Sequence, residues 1–83
     1  MKIVYAKKFV KKFSKLDSKL QKKVYGAIVN IPKGDIKRLS GKRTPPIYRL
    51  RVSTYRLLFN LEDDLLKILL IDSRGDVYKN IDK

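Results

Sequence analysis

The segment Tyr48 to Phe59, YRLRVSTYRLLF, sets apolar residues against basic ones on both sides of Ser53-Thr54, and this pattern constrains the fold more than any other feature. Successive side chains of a strand point to opposite faces. If Ser53-Thr54 is a two-residue turn, Val52 lies opposite Tyr55, Leu50 opposite Leu57 and Tyr48 opposite Phe59. These six residues form one apolar face that needs a cover. The same register sets Arg51 opposite Arg56 and Arg49 two residues away, so three arginines share the other face. Like charges directly opposite one another are destabilising, and an anion is the expected compensation. Neither Ser53 nor Thr54 favours positive φ, so a bulge or longer loop is the competing arrangement.

The segments around the hairpin supply the cover. Lys2 to Tyr5, KIVY, reads as a short strand, and in KKFVKKFSKL the residues Phe9, Val10, Phe13 and Leu16 recur at helical spacing. Asp17 and Ser18 are natural N-cap residues, and Leu20, Val24, Ala27, Ile28 and Ile31 then form a second apolar stripe that ends near Pro32 and Gly34. Residues 34–46 read as a basic loop anchored by Leu39, followed by strands over 47–52, 55–61 and 65–72, with turns at Ser53-Thr54 and Asp63-Asp64. The expected fold is α+β, in the order β-α-α-β-β-β. A helical hairpin packs on one face of a small antiparallel-rich sheet, in one domain over residues 1–83. The other face is expected to carry Leu58, Leu69 and Ile71 among basic residues. Glu62-Asp63-Asp64 reads as a solvated turn rather than a metal site.

Composition bounds the chemistry. At 83 residues a chain buries only about 60% of its unfolded surface, so a deep enclosed cofactor site is not expected. Cysteine and histidine are both absent, which removes disulfides, thiolate zinc sites and the commonest acid-base side chain. Apolar runs such as Ile68 to Ile71 are too short to span a bilayer, and no signal-peptide apolar region is visible, so a cytoplasmic location is expected. The 21 Lys and Arg outweigh 8 Asp and Glu, giving a net charge of +13 and pointing to a polyanion, with nucleic acid ahead of membrane. Lysine dominates the first half, whereas four of the six arginines lie from Arg49 to Arg74. Lysines suit a general field; the planar arginine fork suits specific phosphate contacts.

YRLRVSTYRLLF, followed by LLIDSRGDVYK and preceded by KIVYAKKFVKKFSKLDSKLQKKV, resembles the RelE/ParE superfamily of type II toxins, over nearly the whole chain. Members similar to RelE are cytoplasmic endoribonucleases that cut mRNA in the ribosomal A site and are held inactive by a cognate antitoxin. The resemblance implies metal-independent cleavage without a cofactor, in which the 2′-hydroxyl attacks the adjacent phosphate. It makes Arg51, Arg56, Arg74 and Tyr78 the catalytic set and implies an acidic, RelB-like antitoxin. Arg49 and Arg51 match the basic pair on the preceding strand and, with Arg56, would stabilise charge. Arg74 would contact the phosphate or leaving group, and Tyr78 would transfer a proton. Arg49, Lys11, Lys12, Lys15, Lys42 and Arg43 are the expected phosphate and RNA contacts.

Elementary chemistry is compatible with these roles. Phosphoryl transfer is helped mainly by preorganised positive charge, and a guanidinium cluster favours the ionised form of a tyrosine whose free pKa is about 10. Ser73 stands where many relatives carry a histidine just before the arginine, and Gly75 follows it where a basic residue would help, so fewer groups are available for proton transfer. Two other readings therefore stand beside the nuclease. One is a ParE-like inhibitor that binds DNA gyrase, and the other is an RNA-binding member that has lost catalysis.

Overall fold

The computed structural model describes residues 2–31, 33–39 and 46–73. Along the chain run β1 (Lys2–Tyr5), α1 (Lys7–Phe13), α2 (Ser18–Val29), β2 (Ile36–Arg38), β3 (Ile47–Val52), β4 (Tyr55–Glu62) and β5 (Leu65–Asp72). They form a five-stranded sheet in the order β1-β5-β4-β3-β2. Only β1 is parallel to its neighbour, β5; the other pairs are antiparallel. The α+β expectation holds, with one added strand. Residues 36–38, expected within a loop, pair with β3, Ile36 opposite Leu50 and Lys37 opposite Arg49.

The β3–β4 hairpin has the expected register, from Val52 opposite Tyr55 to Tyr48 opposite Phe59. Ser53 takes a positive φ of 57° and closes the two-residue turn despite its weak preference for that region. Asp63 does the same in the β4–β5 turn, at φ 53°.

Both helices lie over the apolar face of this hairpin. Phe9 of α1 and Val24 and Ile28 of α2 join Leu50, Val52, Leu57, Phe59, Leu66, Ile68 and Ile71 in one buried cluster. Asp17 starts α2 as expected, its Oδ1 accepting from the Leu20 N–H at 2.8 Å. The Gln21 side-chain amide donates to the Phe13 carbonyl at 2.9 Å and ties the two helices together. α1 is shorter than its apolar spacing predicts, ending at Phe13. Val10, expected on the buried stripe, is 49% exposed.

Two glycines have opposite physical roles. Gly34 sits at φ +119°, and a Cβ there would stand 2.9 Å from the Leu50 side chain. Gly26 lies inside α2 with open space where a Cβ would go. Urea denaturation should therefore show Gly34→Ala losing about 1–3 kcal/mol to backbone strain and Gly26→Ala gaining about 0.5–1 kcal/mol from helix propensity. A Gly34→Ala protein as stable as wild type would contradict the strained turn.

One irregularity redirects a strand. β4 and β5 pair as Leu57–Ile71, Leu58–Leu70 and Phe59–Ile68, leaving Leu69 as an extra residue in a β-bulge. A one-residue slip exchanges faces, so Ile68 and Ile71 both enter the helix-side cluster. Ile71, expected on the opposite face, is therefore in the core. On that opposite face Leu58 is fully buried and forms a second cluster with Ile47 and Leu70, against which Leu39 and Leu69 pack.

Candidate functional site: a basic row across the sheet

The face opposite the helices is ordered in rows by strand pairing. One row runs Lys37, Arg49, Leu58, Leu70 and the next runs Arg51, Arg56, Asp72, from β2 or β3 across to β5. Rows on one face lie about 6.5–7 Å apart along a strand, so Lys37, Arg49, Arg51 and Arg56 make a compact cationic group above the second apolar cluster. Two of the cross-strand pairs, Lys37 with Arg49 and Arg51 with Arg56, set like charges directly opposite one another. Lys37 was not anticipated as part of this group. No local strand signal marks it, because Ile36-Lys37-Arg38-Leu39 does not alternate apolar with polar residues and follows Gly34 closely.

Two of these cations, Arg49 and Arg56, have close neighbours on the protein. The Arg49 guanidinium, largely buried, lies 3.9 Å from the exposed Asp35 carboxylate. The Arg51 backbone N–H donates to the Asp35 carbonyl at 3.1 Å, which anchors the strand beside it. Arg56 directs Nη1 at the Ser73 carbonyl, 3.5 Å away, at the long end of hydrogen bonding. Asp72, opposite Arg56, is buried and receives Lys12 Nζ at 3.4 Å.

The structure thus brings together Arg49, Arg51 and Arg56 and adds Lys37. It separates the N-terminal lysines: Lys12 reaches the end of β5, whereas Lys11 and Lys15 are exposed on and just after α1. Arg74, Tyr78, Lys42 and Arg43 lie outside the described residues.

A second surface lies between the helices. Tyr5, Phe9, Val10, Phe13, Tyr25 and Ile28 line an apolar groove of about 270 Å³. Tyr5 stacks on Phe9 at 5.6 Å between ring centroids, and Phe9 meets Phe13 at 5.3 Å. Burial raises the Tyr5 hydroxyl above its usual pKa, and Tyr25 adds to the shift. Tyr25 itself is 56% exposed. Among the described residues no helix is long and apolar enough to cross a membrane.

A helical hairpin on one face of this five-stranded mixed sheet is the RelE-like toxin fold. A chain of the RelB-RelE antitoxin-toxin complex from Methanococcus jannaschii superposes with a TM-score of 0.74 at 24% identity, covering 93% of this chain and 96% of that one. A chain of the archaeal RelE-RelB complex from Pyrococcus horikoshii matches with a TM-score of 0.69 at 25% identity, over 89% of this chain and 94% of the other. The intact E. coli RelBE toxin-antitoxin complex contributes a third match, with a TM-score of 0.60 at 15% identity over 89% and 96%. No protein-family model and no curated protein sequence matches the chain.

Proposed function

We propose that this protein is the toxin of a type II toxin-antitoxin pair and a metal-independent endoribonuclease that cuts mRNA in the ribosomal A site. The observation that carries this reading is the pair of like-charge couples, Lys37 with Arg49 and Arg51 with Arg56, on the sheet face away from the helices. Such couples cost stability unless an anion lies between them, and a phosphodiester fits several guanidinium forks at once. The RelE-like fold and its recurrence in toxin-antitoxin complexes support the same assignment.

In the reaction, the 2′-oxygen forms a bond to phosphorus while the bond from phosphorus to the 5′-oxygen breaks. A 2′,3′-cyclic phosphate and a 5′-hydroxyl result. Arg49, Arg51 and Arg56 stabilise the charge that builds on the phosphoryl oxygens. Arg74 contacts the phosphate or leaving group, and Tyr78 transfers the proton. Lys37 adds a further point charge to the row.

The antitoxin in this reading is an acidic, partly apolar chain. The groove lined by Tyr5, Val10 and Tyr25 gives it apolar contact, and the exposed lysines of α1 and α2 give it charge complementarity.

Mapping mRNA ends on translating ribosomes, with and without the protein, tests the proposal. New 5′-hydroxyl ends at A-site codons support it; an uncut message with wild-type protein moves the assignment to a gyrase-binding or non-catalytic member of the fold. Lys11→Ala with Lys15→Ala should also flatten the salt dependence of ribosome or RNA binding. Each lost contact with single-stranded phosphate lowers the logarithmic slope by about 0.7. Cleavage on saturated ribosomes should stay largely intact, and its loss with binding unaltered would contradict a role as field charges.

A further inference from the structure

We propose that Asp72 is a positioning residue for Arg56, holding the end of β5 so that the guanidinium stands at one place on the basic row. The inference rests on the phosphate-site reading above, and on a feature that reading leaves unexplained. A site built to attract phosphate carries a carboxylate directly across from Arg56.

Asp72 is the buried charged side chain among the described residues, at 8% exposure. A buried charge is costly unless paired. Lys12 Nζ, contributed by α1 from 60 positions earlier in the chain, lies 3.4 Å from Asp72 Oδ2. That contact fastens the helix layer to the last residue of β5. The next carbonyl along, that of Ser73, receives Arg56 Nη1 at 3.5 Å. Three elements meet there: α1 through Lys12, β5 through Asp72 and Ser73, and β4 through Arg56.

The two carboxylates near the row differ in kind. Asp35 is exposed and 3.9 Å from Arg49, a contact that an incoming phosphate can displace. Asp72 is enclosed and tied to another layer, so it stays when substrate binds. Asp35 is a replaceable counter-charge; Asp72 fixes geometry.

The prediction separates placement from charge. Asp72→Asn removes a negative charge beside the row, so affinity for RNA should hold or rise. Arg56, no longer fixed, should act more slowly, and cleavage at saturating enzyme should fall roughly 10-fold or more, within the range of about 10²-fold that a misplacement near 1 Å can cause. Lys12→Gln, a change at a half-exposed side chain, should reproduce the loss. Combining both changes should cost little beyond either alone, as expected of residues acting as one unit.

The deciding readout is the Arg56 Nε–Hε signal in a nitrogen-15 NMR spectrum, recorded alone and during titration with inorganic phosphate. In Asp72→Asn and in Lys12→Gln the signal should move or broaden and respond less to phosphate. An unchanged Arg56 signal in both variants would overturn the proposal, as would wild-type cleavage at saturation. If wild-type protein cuts no RNA, the nuclease reading fails by itself and the Arg56 signal still decides the role of Asp72. Should Asp72→Asn not fold, Lys12→Gln carries the same test.

Discussion

Tyr78→Phe should lower single-turnover cleavage of ribosome-bound mRNA by roughly 10²-fold or more, the usual scale of a general acid-base contribution, while fold and ribosome affinity survive. The substitution keeps the ring and removes only the hydroxyl, so packing and proton transfer are separated in one variant. Arg56→Lys belongs beside it. It keeps the charge across from Asp72 but loses the planar fork, and the two side chains are not interchangeable at a bidentate phosphate contact. Both variants should still bind the antitoxin, whose proposed contacts include the helical groove on the far side of the sheet. Single-turnover rates at saturating protein check the pair. Wild-type cleavage by Tyr78→Phe would make Tyr78 a packing residue and return the proton-transfer role to another group.

Phe59→Ala should remove a quarter or more of the stability of the fold. Phe59 is 1% exposed, sits in the helix-side cluster and stacks on Tyr48 with ring centroids 5.5 Å apart. Truncating a buried Phe costs about 3–5 kcal/mol, and a chain of this size has a total of roughly 4–12 kcal/mol at about 0.05–0.15 kcal/mol per residue. The midpoint of thermal unfolding should fall by at least about 12 °C, taking about 4 °C per kcal/mol for a chain this short. Circular dichroism melts and urea titrations measure the effect. A loss below about 1 kcal/mol, typical of surface sites rather than cores, would mean that the hairpin does not depend on helix cover.

Both expectations begin in features that local sequence carries by itself. The alternation through Tyr48, Leu50 and Val52 and through Tyr55, Leu57 and Phe59 determined a hairpin register, because the faces of a strand repeat every two residues. Asp17 determined where α2 starts, because its carboxylate can meet an N–H three residues on. The arginine row follows from the same alternation, since Arg51 and Arg56 fall opposite once the turn has two residues.

Tertiary structure decided the rest, and in each case the cause lies far away in the chain. Residues 36–38 became a strand because β3 offers them an edge, which no local propensity near Gly34 announces, and Lys37 entered the basic row with them. The bulge at Leu69 depends on how β5 meets β4, so no period within β5 foretells that Ile71 turns to the helices. Val10 follows its helical spacing yet stays exposed in the groove beside Tyr25, because a periodic stripe marks a possible buried face and only a packed neighbour buries it. Asp72 reads locally as the polar end of an apolar strand. Its contact with Lys12 exists because α1 packs along β5, and the pairing of β5 with β4 sets one carboxylate among the arginines.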